Sequence, residues 1–246
     1  MSARIGAVAL ALLFASTPTL ARAQQVLLLW DVDNVHTQSL VVALEGAGLT
    51  VTYSVTDEAS YDGTNPAPTA FDVVIHLNGT TYNDEMPAAG QTALSDFVQA
   101  GGGFISTEWN VHEYVEQGWL QQMGDLVLFD RTDSREGPIT YSVVQGMESH
   151  PVVANVPTSF DFAAGSNIGP VASFVADPAL ALMTDDVGAD AVAVREWGLG
   201  RIVGFNHSGN YNTFDALSDP DVQQLFIDGA IWAANVSCAD GDGDGY

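Results

Sequence analysis

Gly101-Gly-Gly-Phe-Ile-Ser-Thr-Glu-Trp-Asn-Val-His112 is the stretch that decides the fold. Glycines end a helix, a short apolar strand core follows, and polar groups emerge where an open α/β sheet keeps its chemistry. Upstream, Ala93, Leu94, Phe97 and Val98 recur at helical spacing, predicting a helix over residues 88–100. The strand-to-helix turn contains no cysteine, and the only thiol in the chain is Cys238. A thiolate nucleophile at this turn is therefore excluded.

Working outward, residues 26–30 form a continuous apolar run, as expected for a parallel strand covered on both faces, ending in Asp31-Val-Asp33-Asn34. A helix carrying Leu40, Val41 and Leu44 follows, then strands near 51–55 and 71–77, the latter emerging at His76-Leu-Asn78. This alternation predicts a doubly wound, mostly parallel sheet between helical layers. Between about 130 and 190 the rhythm is lost to Pro, Gly, Ser and Asp. Strand-like pieces such as 140–144 predict an irregular, partly antiparallel insertion. Residues 191–194 and 201–205, joined by Trp197-Gly-Leu-Gly200, read as a hairpin. Asp219 before Pro220 caps a closing helix whose buried stripe is Val222, Leu225, Phe226, Gly229, Ala230 and Ala233.

The ends and the charge bound the setting. Residues 1–23 combine Arg4, an apolar run and Ala21-Arg-Ala23, the pattern of a cleaved signal peptide, which predicts a secreted, periplasmic or cell-surface protein. That run is too short to span a bilayer, and no later segment approaches the necessary length. The whole chain has 31 acidic residues, six arginines and no lysine, for a formal charge of −25. Such a surface disfavours nucleic acid and anionic membranes, whose binding requires a basic footprint. With 47% apolar residues, the portion from 24 to 236 suffices for one large domain. From 237 to 246, Asp240-Gly-Asp242-Gly-Asp244-Gly matches the opening of a calcium loop, three alternate carboxylates around one Ca²⁺ with glycine at the turn. Without a closing bidentate acid such a half-loop would hold calcium weakly. No cofactor is expected in the main domain.

Several pieces line up in order: the opening strand and helix, Gly101-Gly-Gly103-Phe-Ile, His150-Pro151-Val152, Trp197-Gly-Leu-Gly-Arg201-Ile-Val, and Ala230-Ile-Trp232-Ala. Together they resemble the trehalose-utilisation (ThuA-like) family of the class I glutamine amidotransferase-like superfamily, over roughly residues 25–236. The resemblance implies a flavodoxin-like three-layer sandwich and a pocket at the carboxyl edge, with a suggested link to sugar metabolism. In the superfamily's amidotransferases the elbow holds a cysteine. Here Ser106, Thr107 and Glu108 stand there, so thiol-based glutamine hydrolysis is not implied. The tail resembles the start of a thrombospondin type 3 or dockerin-like calcium repeat.

If the strands are parallel, the groups expected at their carboxyl ends are Asp31, Asp33, His36, His76, Asn78, Glu108, His112, Asn206 and His207. Acids, imidazoles and amides in one cleft suit a small polar ligand, a saccharide among them, and Glu108 and His207 are the candidates for general acid–base work. A serine-type arrangement of Ser106 or Thr107 with His207 lacks the small residues of a nucleophile elbow, because Glu108 and Trp109 follow. The segment 27–35 also resembles the first motif of haloacid dehalogenase-like phosphatases, with Asp31 as nucleophile, Asp33 as proton shuttle, and Asp185, Asp186 and Asp190 as later metal acids. Those enzymes need a lysine, which this chain lacks. A third possibility is a non-catalytic adhesion or scaffold module, expected if bulky groups such as Trp109, Trp119 or Tyr211 close the pocket. Oligomeric state is not encoded in any of these patterns.

Overall fold

The computed structural model describes residues 23–131, 138–162, 178–209 and 216–234. The signal-peptide expectation up to residue 22, Tyr211, and the tail with Cys238, Asp240, Asp242 and Asp244 lie outside the described residues.

The opening run becomes β1 (Gln25–Leu29), in which Val26, Leu27, Leu28 and Leu29 are all buried. Successive strand side chains point to opposite faces. Val26 and Leu28 accordingly pack on one side with α1 (Val35–Gly46), and Leu27 and Leu29 on the other with α2 (Ala88–Gln99). The helix α4 (Pro220–Ala234) joins α1. Both faces of the sheet are thus covered, which makes three layers and explains why β1 shows no polar alternation. Asn34 caps α1 by accepting from the His36 and Thr37 N–H groups, and Asp219 does the same for Asp221 and Val222 in α4. The predicted stripe of α4 is buried in full.

The remaining strands are β2 (Thr50–Tyr53), β3 (Val73–His76), β4 (Gly103–Ser106), β5 (Ile139–Val143), β6 (Ser159–Phe162), β7 (Leu180–Thr184), β8 (Asp190–Trp197) and β9 (Gly200–Phe205). They form a single sheet in the order β2-β1-β3-β4-β9-β8-β7-β5-β6. The first five positions are mutually parallel and every later pairing is antiparallel. The expectation of a mostly parallel sheet is borne out in part: five of the nine strands in the described residues form a parallel set, and the rest extend it antiparallel. The hairpin turn after Trp197 reverses the chain, so β8 must run against β9, and each subsequent strand adds by the same rule. The irregular middle segment extends the main sheet instead of standing apart as a lobe.

Two of the three glycines have distinct reasons. Gly101 takes φ +116°, closing α2 in a conformation that side chains oppose. A Cβ at Gly103 would lie 2.7 Å from the Ala233 carbonyl carbon, so glycine lets α4 rest directly on β4. Among the described residues no helix is long and apolar enough to cross a membrane.

Candidate functional site

At the carboxyl ends of β1, β3 and β4 the backbone leaves the sheet and polar side chains collect on the α2 side. His76, last residue of β3, is fully buried. Its Nε2 donates to Glu58 Oε2 at 2.9 Å, and its Nδ1 accepts from Asn110 Nδ2 at 3.1 Å. That pairing fixes the tautomer, since an amide NH₂ can only donate. Asn110 Oδ1 in turn accepts from the Thr107 N–H at the start of α3 (Glu108–His112), so the His76 network is anchored to the elbow. Glu58, from a single 3₁₀ turn, also accepts from the Thr81 hydroxyl.

Asp31 lies one residue past Trp30 at the end of β1, with its oxygens accepting from the Val32 and Thr80 N–H groups. Burial pushes its carboxyl up to about 7 against those hydrogen bonds, with a further push from Glu58. Glu113 begins a π turn that continues α3. Its carboxyl is raised to about 9 by burial first, then by Glu58, with Glu85 and Asp84 adding to it. Asn78 is near enough to hold that value partly down, but its amide and both Glu113 oxygens lack a hydrogen bond of good geometry. Asn78 and Glu113 are both fully buried.

Glu108 is buried beside the elbow and pairs with Arg131, which also reaches Glu116. Desolvation still pushes Glu108 up to about 8, since the guanidinium is shared and Glu116 opposes it. His112 is depressed by burial and then by Arg131. Its ring packs edge-on against Trp109 and Tyr82, which stack with centroids 4.7 Å apart, and Arg131 lies over Trp109.

Four expected members sit elsewhere. Asp33 is exposed and accepts from Gln38 in α1, and His36 Nδ1 meets Ser218 Oγ at 3.0 Å. Asn206 receives the Tyr141 hydroxyl and approaches Asp185 at 3.5 Å. His207 follows Phe205 by two residues, so its ring faces the opposite side of the sheet, stacked on Phe205 and ringed by Phe162, Phe226 and Tyr141. Its Nδ1–H donates to the Ser208 carbonyl, Nε2 has no hydrogen-bond partner among the described residues, and burial lowers the imidazole to about 4. The expectation of one shared cleft is corrected: period-2 alternation sends His76 and His207 to different faces. Only the His207 carbonyl touches the elbow, accepting from the Glu108 N–H. A Ser106 or Thr107 nucleophile with His207 as base is not assembled. Asp31 and Asp33 likewise do not form a phosphatase pair, the first being bonded to backbone and the second turned to Gln38.

Sequence reasoning missed Glu58, Asn110, Glu113 and Arg131. The Thr107-x-x-Asn110 spacing, close to a capping box, was the available signal for Asn110. The other three look like ordinary surface charges in sequence. Trp119 is half-buried against the α2-side core and outside these contacts.

The motifs His150-Pro, Arg201 and Trp232 meet on the other side of the sheet. Arg201 lies over the Trp232 ring at 5.0 Å, and His150 packs against the same ring. His150 and Trp232 border a shallow concavity of about 350 Å³, whose wall includes Leu180 and Val194.

This architecture is shared with solved proteins. A ThuA-like protein from Parabacteroides merdae superposes with a TM-score of 0.60 at 15% identity, covering 87% of this chain and 91% of that one. The fold is ThuA-like. A second ThuA-like protein, from Bacteroides uniformis, gives 0.58 at 15% identity over 89% and 95% of the two chains. A Thermoplasma acidophilum protein assigned to GMP synthase gives 0.56 at 9% identity over 87% and 95%. No family model matches the sequence, and a search of curated proteins gives no match.

Proposed function

We propose that this ThuA-like domain binds a small polar ligand of the saccharide class at the carboxyl edge of its parallel half, without thiol amidotransferase chemistry. One observation carries the reading: Asn78 and Glu113 are buried close together, and among the described residues neither side chain has a hydrogen bond of good geometry. Leaving such groups unpaired costs about 1–3 kcal/mol each. Folded domains keep few such groups, and a bound partner that completes the bonding is one established reason for them. Tyr82, half-buried over Trp109, offers an aromatic face at the rim, suited to the apolar face of a sugar ring. Isothermal titration against a sugar panel tests this. At least one sugar should bind, roughly tenfold more weakly to Asn78→Ala and Glu113→Gln, the loss expected for one hydrogen bond. No binding of any sugar by the intact protein removes the reading.

A second reading, a non-catalytic scaffold, is favoured by Trp109, which is only 5% exposed and fills space beside the elbow under Arg131. In that case the tail acts through Ca²⁺ at Asp240, Asp242 and Asp244. Calcium titration should show weak binding, in the millimolar range, abolished by Asp242→Asn. For export, cleavage after Ala23 is checked by N-terminal sequencing of the secreted protein, which should start at Gln24.

A further inference from the structure

Resting on the ligand-site reading above, we infer that the ligand taken under the loop at residues 80–85 carries a protonated amine: an amino sugar or a related cationic polyol. Asp31, two residues past β1, and Glu58, on the 3₁₀ turn, are held there by the consecutive loop residues Thr80 and Thr81, and Glu113, just after α3, lies within electrostatic reach of Glu58. Asp84 and Glu85 add negative charge from the covering loop. Facing them on the protein side are the imidazole of His76, the amides of Asn78 and Asn110, and the Thr81 hydroxyl. Among the described residues no arginine acts on Asp31 or Glu113, since Arg131 is engaged with Glu108 and Glu116. With Asp31 and Glu113 ionised, the site holds acceptors in excess of donors, and its uncompensated charge has one sign.

A neutral sugar brings as many acceptors as donors and leaves that imbalance in place. An ammonium group brings only donors and the missing positive charge, and charge-assisted bonds of this type are about twice as strong as neutral ones. A metal ion would supply charge too. Among the described residues, however, no three acid, imidazole or thiol side chains lie close enough to ligate one, whereas an ammonium needs only one or two of these carboxylates. Asn78, buried with both polar atoms unfilled, points independently to a ligand in this place. The loop is fastened to the acid cluster by the hydrogen bonds from Thr80 N–H to Asp31 and from Thr81 O–H to Glu58.

An arriving ammonium makes ionisation of Asp31 and Glu113 favourable, so binding expels protons, and affinity rises with pH as long as the amine stays charged. The test is calorimetry on the full chain near pH ~6.5, where a lysine-like amine is charged. Two buffers of different protonation enthalpy are used, with glucose, N-acetylglucosamine, glucosamine and butylamine as probes. Glucosamine should bind roughly tenfold or more tightly than glucose or N-acetylglucosamine, and release protons. Glu113→Gln should abolish both the preference and the proton release. If that variant does not fold, Asp31→Asn provides the same readout. Glucose or N-acetylglucosamine binding as tightly as glucosamine, without proton release, overturns the amine inference and leaves the saccharide reading standing. Butylamine binding with proton release while no sugar binds upholds the charge argument and removes the saccharide class. If none of the four binds, both fall.

Discussion

His76 and His207 stand at the ends of strands in the same parallel ladder, both fully buried, yet on opposite faces of the sheet they live in opposite chemistry. On the α2 side His76 has both nitrogens occupied, inside a group of carboxyls that burial has pushed toward the neutral form. On the α4 side His207 is boxed by aromatic rings, with one nitrogen bonded to a neighbouring carbonyl and the other, among the described residues, without a hydrogen-bond partner. His207 lies three residues beyond Gly204, the position in register with His76, and that odd offset separates these outcomes. The difference teaches that strand-end position marks where chemistry can sit, and the facing layer decides whether it does.

The comparison breaks most severely if the aromatic box is not a true core. Phe226→Ala removes a fully buried ring touching Phe205 and His207, and should cost about 3–5 kcal/mol, read from urea unfolding. Next, Glu58→Ala takes the acceptor from His76 and Thr81 at once and should cost about 3 kcal/mol, whereas a loss below ~1 kcal/mol would mean the network is incidental.

The two faces should also respond to pH with opposite sign. His207 titrates near 6.5 unfolded and about 4 folded, so protons bind the unfolded chain better and stability falls as pH drops through that window. The effect is of order 3 kcal/mol, and His207→Phe should flatten this acid limb of a stability–pH curve. Asp31 and Glu113 have raised folded values, so their contribution is complete below about pH 4 and is lost as pH rises toward 7 and 9. Asp31→Asn should flatten this upper limb by at least ~1 kcal/mol in the same melts. The smallest effect is expected for Thr81→Val, about 1 kcal/mol in the melt, from one hydroxyl bond to Glu58.

Much of the frame was legible beforehand because it rests on local signals. The apolar run of β1, the glycines after α2, the Trp197–Gly200 hairpin and the Asp219-Pro220 cap all lie where their residue types require. The antiparallel extension was legible only in part. Ser159-Phe-Asp-Phe162 alternates exposed and buried, a period-2 signal that a loop-like composition around it concealed. At the site, Asp31, His76, Asn78 and Glu108 could be placed because strand ends are predictable. Their partners could not, since Glu58 comes from an isolated turn and Glu113 from a π turn, and neither has a periodic signature. The face of His207 could have been inferred from Phe205, because alternate residues share a side.

The sheet also has consequences for self-association. Its outermost members, β2 and β6, are four residues each, so a visiting strand would find few backbone groups to pair with. Asp161 places a negative charge on β6, and a second copy would bring the same sign to the meeting line. Brevity and like-charge repulsion at its margins thus oppose growth of this sheet, nine-stranded in the described residues, into a fibre.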